Sequence, residues 1–119
     1  MKLYDAPWAP SPRRVRVFLA EKGIDVPREV IDLRSGAHLT DDYLRVNPRG
    51  AVPALELEDG EVLCESAAIC RYFEALHPDP PLFGTTPREI GRIESWTRRI
   101  EGDGYAAAVY ALRNTAPAV

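Results

Sequence analysis

Cysteine is scarce in this chain: of 119 residues, only Cys64 and Cys70 carry a thiol. Their spacing is neither the redox C-x-x-C nor a zinc pattern, and two histidines add little metal capacity. Both thiols are therefore read as reduced and mostly buried, and no metal is expected. A basic surplus is also missing. The net charge of −3 argues against a phosphate-backbone partner, so no nucleic acid is expected. No apolar run approaches the roughly 20 residues that span a bilayer, so no membrane is expected either. The opening "MKLYDAPW" runs straight into a strand pattern without the apolar stretch of a signal peptide, which makes cytoplasmic the expected localisation. Internal repeats and low-complexity segments are absent.

What remains, 45% apolar and 28% charged residues, fits a globular fold. "MKLYDA" reads as a short strand that ends where the prolines begin. From Pro12, Val15, Phe18 and Leu19 recur at helical spacing, with Gly23 as the stop. Pro27 to Leu33 reads as a second strand. A polar loop follows, holding one helical turn around "TDDYLRV" that Asn47-Pro48 and Gly50 end. In "AVPALELEDGEVLCES", Leu55 and Leu57 alternate with Glu56 and Glu58 and Asp59-Gly60 supplies the turn of a β-hairpin. "ESAAICRYFEALHP" then places Ile69, Tyr72, Phe73 and Leu76 on one face of a helix.

Pro78, Pro80 and Pro81 make a stiff linker, and from Pro87 the texture changes. Ile90, Ile93, Trp96, Thr97 and Ile100 form an amphipathic helical stripe, with an interruption expected near Gly102-Asp103-Gly104. The fold class is therefore α/β: a βαβ-ββα unit in the thioredoxin arrangement, followed by the beginning of an all-α domain. The expected division is residues 1–78, a linker at 79–86, and 87–119 as an apparently truncated helical domain. These residues are expected to be part of a longer polypeptide.

Four segments resemble the glutathione transferases: "LYDAPWAPSPRRVRVFLAEKG", "HLTDDYLRVNPRGAVPAL" with its N-P-x-G-x-V-P loop, "CESAAICRYF", and the Pro-rich linker with its Trp-bearing helix. The resemblance covers essentially the whole chain. It implies glutathione as co-substrate, a small electrophilic or disulfide substrate and a homodimer.

The resemblance also distributes roles. Ser66, at a helix start where free N–H groups favour an anion, would hold the γ-glutamyl carboxylate, with Glu65 beside it. On the residues alone, Ser66 reads equally as a cap and Glu65 as a first-turn charge. Pro53 matches the family's cis-proline, which lets Val52 offer its N–H and C=O to the cysteinyl backbone of glutathione. Otherwise Pro53 is a trans proline opening a strand. His38 matches a position that reaches the glycyl carboxylate, and Arg49 is a second carboxylate partner; either reads otherwise as a solvated loop residue. Trp8 and Pro10 are candidates for the edge of the electrophile site, although Trp8 could equally pack on a partner subunit.

The family's serine and cysteine classes place their catalytic residue six positions before the helix valine that matches Val15. Here that position is Ala9, and Tyr4 lies inside the first strand. Ser11, two residues on, matches a place where one bacterial and fungal branch carries an Asn on the glutathione sulfur. That branch is noted for disulfide reductase and peroxidase activity. Ser11 is thus the catalytic candidate, with a helix cap as its other reading. The implied activity is that of a glutathione transferase, with disulfide reduction or peroxide reduction as a further expectation. A non-catalytic binding or dimerisation module of the same fold is the alternative.

Overall fold

The computed structural model describes residues 1–115. It divides into two compact units, Met1–Pro80 and a second beginning at Pro81. In the first, β1 (Lys2–Asp5), α1 (Pro10–Lys22) and β2 (Arg28–Val30) form a βαβ crossover with β1 and β2 parallel. A 3-10 turn (Ala37–Leu39) and α2 (Asp41–Val46) lead to the hairpin of β3 (Ala54–Glu56) and β4 (Val62–Cys64), and α3 (Ser66–Leu76) closes the unit. The sheet order is β2-β1-β3-β4, with β3 antiparallel to both neighbours. This is the thioredoxin-like arrangement.

Strand alternation sorts the core onto the two faces of this sheet. Tyr4 and Ala54 lie opposite each other across β1 and β3, and they pack with Ile31 of the following loop and Tyr43 of α2. Leu3 and Leu55, the next register pair, point to the other face and are fully buried. There α1 and α3 pack on one another and α3 packs on β3 and β4, bringing in Val15, Ile69 and Phe73. Each large side chain buried this way contributes about 1.5–3 kcal/mol.

The second strand is shorter than the sequence pattern suggests. It spans only Arg28–Val30, all three residues exposed, because β2 is an edge and Ile31 leaves it to fill the core below α2. Helix α1 starts earlier than Pro12. Pro10 occupies its first turn, Ala9 is the cap residue, and Gly23 ends the helix in the left-handed region at φ 66°. Its buried stripe of Val15, Phe18 and Leu19 continues to Lys22. That ammonium is sealed in by the Glu74 carboxylate at 2.6 Å and by the carbonyls of His77 and Pro80. A buried lysine is tolerated only with such a full set of acceptors.

The second unit is helical: α4 (Pro87–Arg99), one π turn (Ile100–Tyr105) and α5 (Ala106–Thr115). The expected interruption at Gly102-Asp103-Gly104 is thus a widened turn rather than a break. A capping box opens α4. The Thr86 hydroxyl accepts from the Glu89 N–H at 3.2 Å, and the Glu89 carboxylate accepts from the N–H of Thr86 at 3.3 Å and of Thr85 at 3.0 Å. Among the described residues, no helix is long and apolar enough to cross a membrane.

Candidate active site

The candidate residues come from three places: the β1–α1 junction, the loop running from Ala37 to Pro53, and the head of α3. Ser11 is the second residue of α1, not its cap. The cap position belongs to Ala9, which is buried and whose side chain makes no capping bond. The cap reading of Ser11 therefore fails, because the helix begins at Pro10. Ser11 is half-buried in a first turn where Pro10 and Pro12 carry no N–H and the Arg13 N–H donates to the Ala9 carbonyl at 3.2 Å. Trp8 lies just before it with 49% of its surface exposed, and the Arg34 guanidinium sits 5.5 Å over its ring. Pro10 is exposed beside them.

Ser66 opens α3 and is buried. Arg14 of α1 donates to its Oγ at 3.2 Å, which brings the two helices together at this point. Because Arg14 occupies an acceptor lone pair, the Ser66 hydroxyl keeps its own proton for another acceptor. Glu65 takes the cap position at φ 74°, the one residue other than glycine with positive φ among those described. Such a backbone costs an L-residue about 1–3 kcal/mol and is held only where its surroundings fix it. The Glu65 carboxylate is exposed and 3.6 Å from Arg49, an exposed pair that contributes about 1 kcal/mol at most. Arg49 therefore stands beside Glu65.

The loop carrying Val52 and Pro53 is held from beneath. The Val52–Pro53 peptide is cis. Asn47, buried, accepts the Arg49 N–H at its Oδ1 and donates from Nδ2 to the Ala51 carbonyl at 2.8 Å. Tyr43 donates its hydroxyl to the same carbonyl at 2.7 Å. Burial, reinforced by Cys64 and Tyr4, pushes the Tyr43 phenol well above its ordinary range, so it remains a donor. Gly50 lies at φ 59°, where a β-carbon would come within 3.0 Å of the His38 carbonyl. The 3-10 turn and the N-P-x-G loop thus meet at this glycine. His38 stands on that turn, and its buried Nδ1 has no hydrogen-bond partner among the described residues.

Burial pushes the Cys70 thiol up to about 11 despite the opposing charge of Arg14, and raises that of Cys64 as well. Neither is a thiolate at neutral pH, and no disulfide joins them. Among the described residues, no group of three His, Cys, Asp or Glu side chains is placed to hold a metal.

Tyr43, Arg14 and Arg34 are contributors that the sequence pattern does not single out. Tyr43 reads as part of one helical turn and Arg14 as one of several arginines. Ser66 lies 52 residues from Arg14 and Trp8 is in a different loop from Arg34, so no local spacing signals those pairs, while the Ala51 carbonyl that Tyr43 holds is a backbone group with no side-chain signature. The one available cue for Tyr43 is an aromatic four residues before Asn47-Pro48.

Comparison with known proteins gives the family. The family model described as "Glutathione S-transferase, N-terminal domain" matches residues 8–76. The chain is 43% identical over 103 residues to glutathione S-transferase 2 of Saccharomyces cerevisiae, covering 85% of this chain and 44% of that protein. It is 42% identical over 94 residues to the maleylacetoacetate isomerase of Pseudomonas aeruginosa, covering 77% and 44%. It thus spans less than half the length of either relative. Among solved structures, a glutathione S-transferase from Vibrio parahaemolyticus superposes with a TM-score of 0.84 at 41% identity, covering 95% of this chain and 55% of that one. A glutathione transferase homologue from Sulfitobacter, solved with bound glutathione, superposes at 0.78 with 29% identity over 85% and 48%. The family match and the structural likeness agree, and the chain belongs to the glutathione S-transferase family through its N-terminal domain.

Proposed function

We propose that this chain binds glutathione, stabilises its thiolate and promotes attack of the sulfur on an electrophilic carbon or on a disulfide or peroxide. The observation that carries the reading is the head of α3. A buried hydroxyl, Ser66, stands at a helix N-terminus with the Arg14 guanidinium 3.2 Å away. Helix dipole, guanidinium and a hydroxyl proton all favour a carboxylate there. In this reading Ser66 and Glu65 hold the γ-glutamyl end, the Val52 N–H and C=O pair with the cysteinyl backbone before Pro53, and His38 takes the glycyl carboxylate. The sulfur then lies at the start of α1, with Trp8 and Pro10 edging the electrophile site.

The chemistry asks little of the protein. A free thiol with a pKa near ~8.5 is only a few per cent thiolate at pH 7, and lowering it by ~2 units requires roughly 2.7 kcal/mol of preference for the anion. A hydrogen bond to a charged partner supplies about 1.5–3 kcal/mol and a helix N-terminus about 0.3–1. Ser11, in the first turn of α1, combines the two. The thiol proton goes to solvent. The thiolate forms a bond to carbon as the leaving group departs with its electrons, or attacks a sulfur and displaces a thiolate.

The domain assignment belongs to the same proposal: residues 1–78 bind glutathione, 79–86 link, and 87–119 begin a helical domain. A cytoplasmic homodimer is the proposed state. Ala9 in the family's usual catalytic slot, buried and without a hydroxyl, favours a second reading, a binding module without turnover. Retention on immobilised glutathione tests binding, and assays with a chloro-nitroaromatic and a mixed glutathione disulfide test turnover. Binding without turnover selects the module, and absence of both rejects the proposal.

A further inference from the structure

The carbonyl of Ala51 accepts two hydrogen bonds at once, from the Tyr43 hydroxyl at 2.7 Å and from Asn47 Nδ2 at 2.8 Å. That carbonyl belongs to the same peptide group as the Val52 N–H. The Ala51–Val52 bond is trans, the cis bonds of the described residues being Val52–Pro53 and Asp79–Pro80. In a trans peptide the C=O and N–H are rigidly antiparallel. Two donors gripping the oxygen from the α2 side therefore fix the direction of the Val52 N–H, which points away from α2.

The grip is built into the fold. Tyr43 is 4% and Asn47 3% exposed. The Tyr43 ring is pinned edge-on against Tyr4 at 5.6 Å, within the core cluster under the sheet. Asn47 is fixed through its Oδ1 by the Arg49 N–H, and through its backbone by Tyr43 and Gly50. Hydrogen bonds to a carbonyl also withdraw charge from its peptide and make the N–H on the other side a better donor.

We propose that Tyr43, seconded by Asn47, is a positioning residue for ligand recognition: by holding the Ala51 carbonyl it aims and polarises the Val52 N–H that receives the cysteinyl carbonyl of glutathione. The inference rests on the glutathione reading above and adds to it a residue that touches no ligand. Its reach is confined to one hydrogen bond.

The test is a calorimetric titration of the full chain with two ligands. One is glutathione; the other is an analogue whose cysteinyl carbonyl is reduced to methylene and so cannot accept from Val52. Tyr43→Phe keeps the buried ring and leaves Asn47 on the Ala51 carbonyl, so the fold is retained. The variant is expected to bind glutathione about fivefold more weakly and the analogue unchanged. In the ligand-free protein its Val52 amide resonance should move upfield, while that of Leu3 in β1 stays. Equal glutathione affinity in the two proteins overturns the inference, as does equal weakening of both ligands, which marks general structural damage. An unmoved Val52 resonance overturns it too. A wild-type chain that binds neither ligand overturns the glutathione reading itself, an outcome separate from all three.

Discussion

Deleting one oxygen at the start of α1 separates binding from turnover. Ser11 is the second residue of the helix and not its cap, so Ser11→Ala leaves the cap position, Ala9, unchanged. The expected result is a pKa of bound glutathione raised by about 1–2 units, and turnover at neutral pH lowered about 3- to 25-fold with the thiolate fraction. Glutathione affinity should change little. Titrating thiolate absorbance against pH in both proteins checks this, and an unchanged pKa removes Ser11 from the chemistry. At this scale the sequence was legible where a motif fixes local geometry, as with the Val52–Pro53 peptide and Ser66 at the head of α3. It was silent on Arg14 and Lys22, because their contacts cross the fold, and on Tyr43, because its partner is the backbone carbonyl of Ala51. Lys22 is the clearest instance: the apolar stripe of α1 turns a lysine inward, and only Glu74, His77 and Pro80, more than fifty residues on, explain why it stays there.

Helix α4 owes its start to the capping box of Thr86 and Glu89, and that gives it a pH dependence. Hydrogen bonds from the backbone of Thr85 and then of Thr86 hold the Glu89 carboxyl below its ordinary value of 4.5. A depressed folded-state pKa contributes stability that is fully present above the unfolded value. That contribution is lost as the pH falls through the lowered folded value. Amide exchange at residues 88–90, corrected for intrinsic rate, should therefore lose protection below about pH 4 and keep it at pH 6. Glu89→Gln should flatten that difference, and an unaltered profile in the variant would assign the effect elsewhere. Elements with a strong local signal came through. The hairpin follows from alternation around Asp59-Gly60, and α3 from its apolar face. The length of β2 did not, since an edge strand ends where pairing ends rather than where β-formers do. Nor did the first turn of α1, because Pro10 and Pro12 both suit it.

For the whole molecule, the order of elements was readable because each connection is short and the crossover between β1 and β2 has one favoured hand. The division near Pro80 coincides with the cis Asp79–Pro80 bond and with the Lys22 contacts to that carbonyl. If glutathione binds the first unit only in its folded form, a concentration of 100 times its Kd stabilises that unit by about 2.7 kcal/mol. Amides of β1, β3 and α3 that exchange only through its global opening should slow by about a hundredfold. A slowing confined to residues 87–115 would place the ligand elsewhere.

The sheet has two edge strands, β2 and β4, and β2 is the one whose residues are all exposed. An edge strand offers unpaired N–H and C=O groups to any neighbouring chain. Here the template is three residues long and two of them, Arg28 and Glu29, are charged, Glu29 being tied to Lys2 at 2.8 Å. Val30, 60% exposed, is the apolar side chain on it. Brevity and charge make β2 a poor seed for intermolecular pairing, so this edge guards the chain against fibre growth without any help from the ligand site.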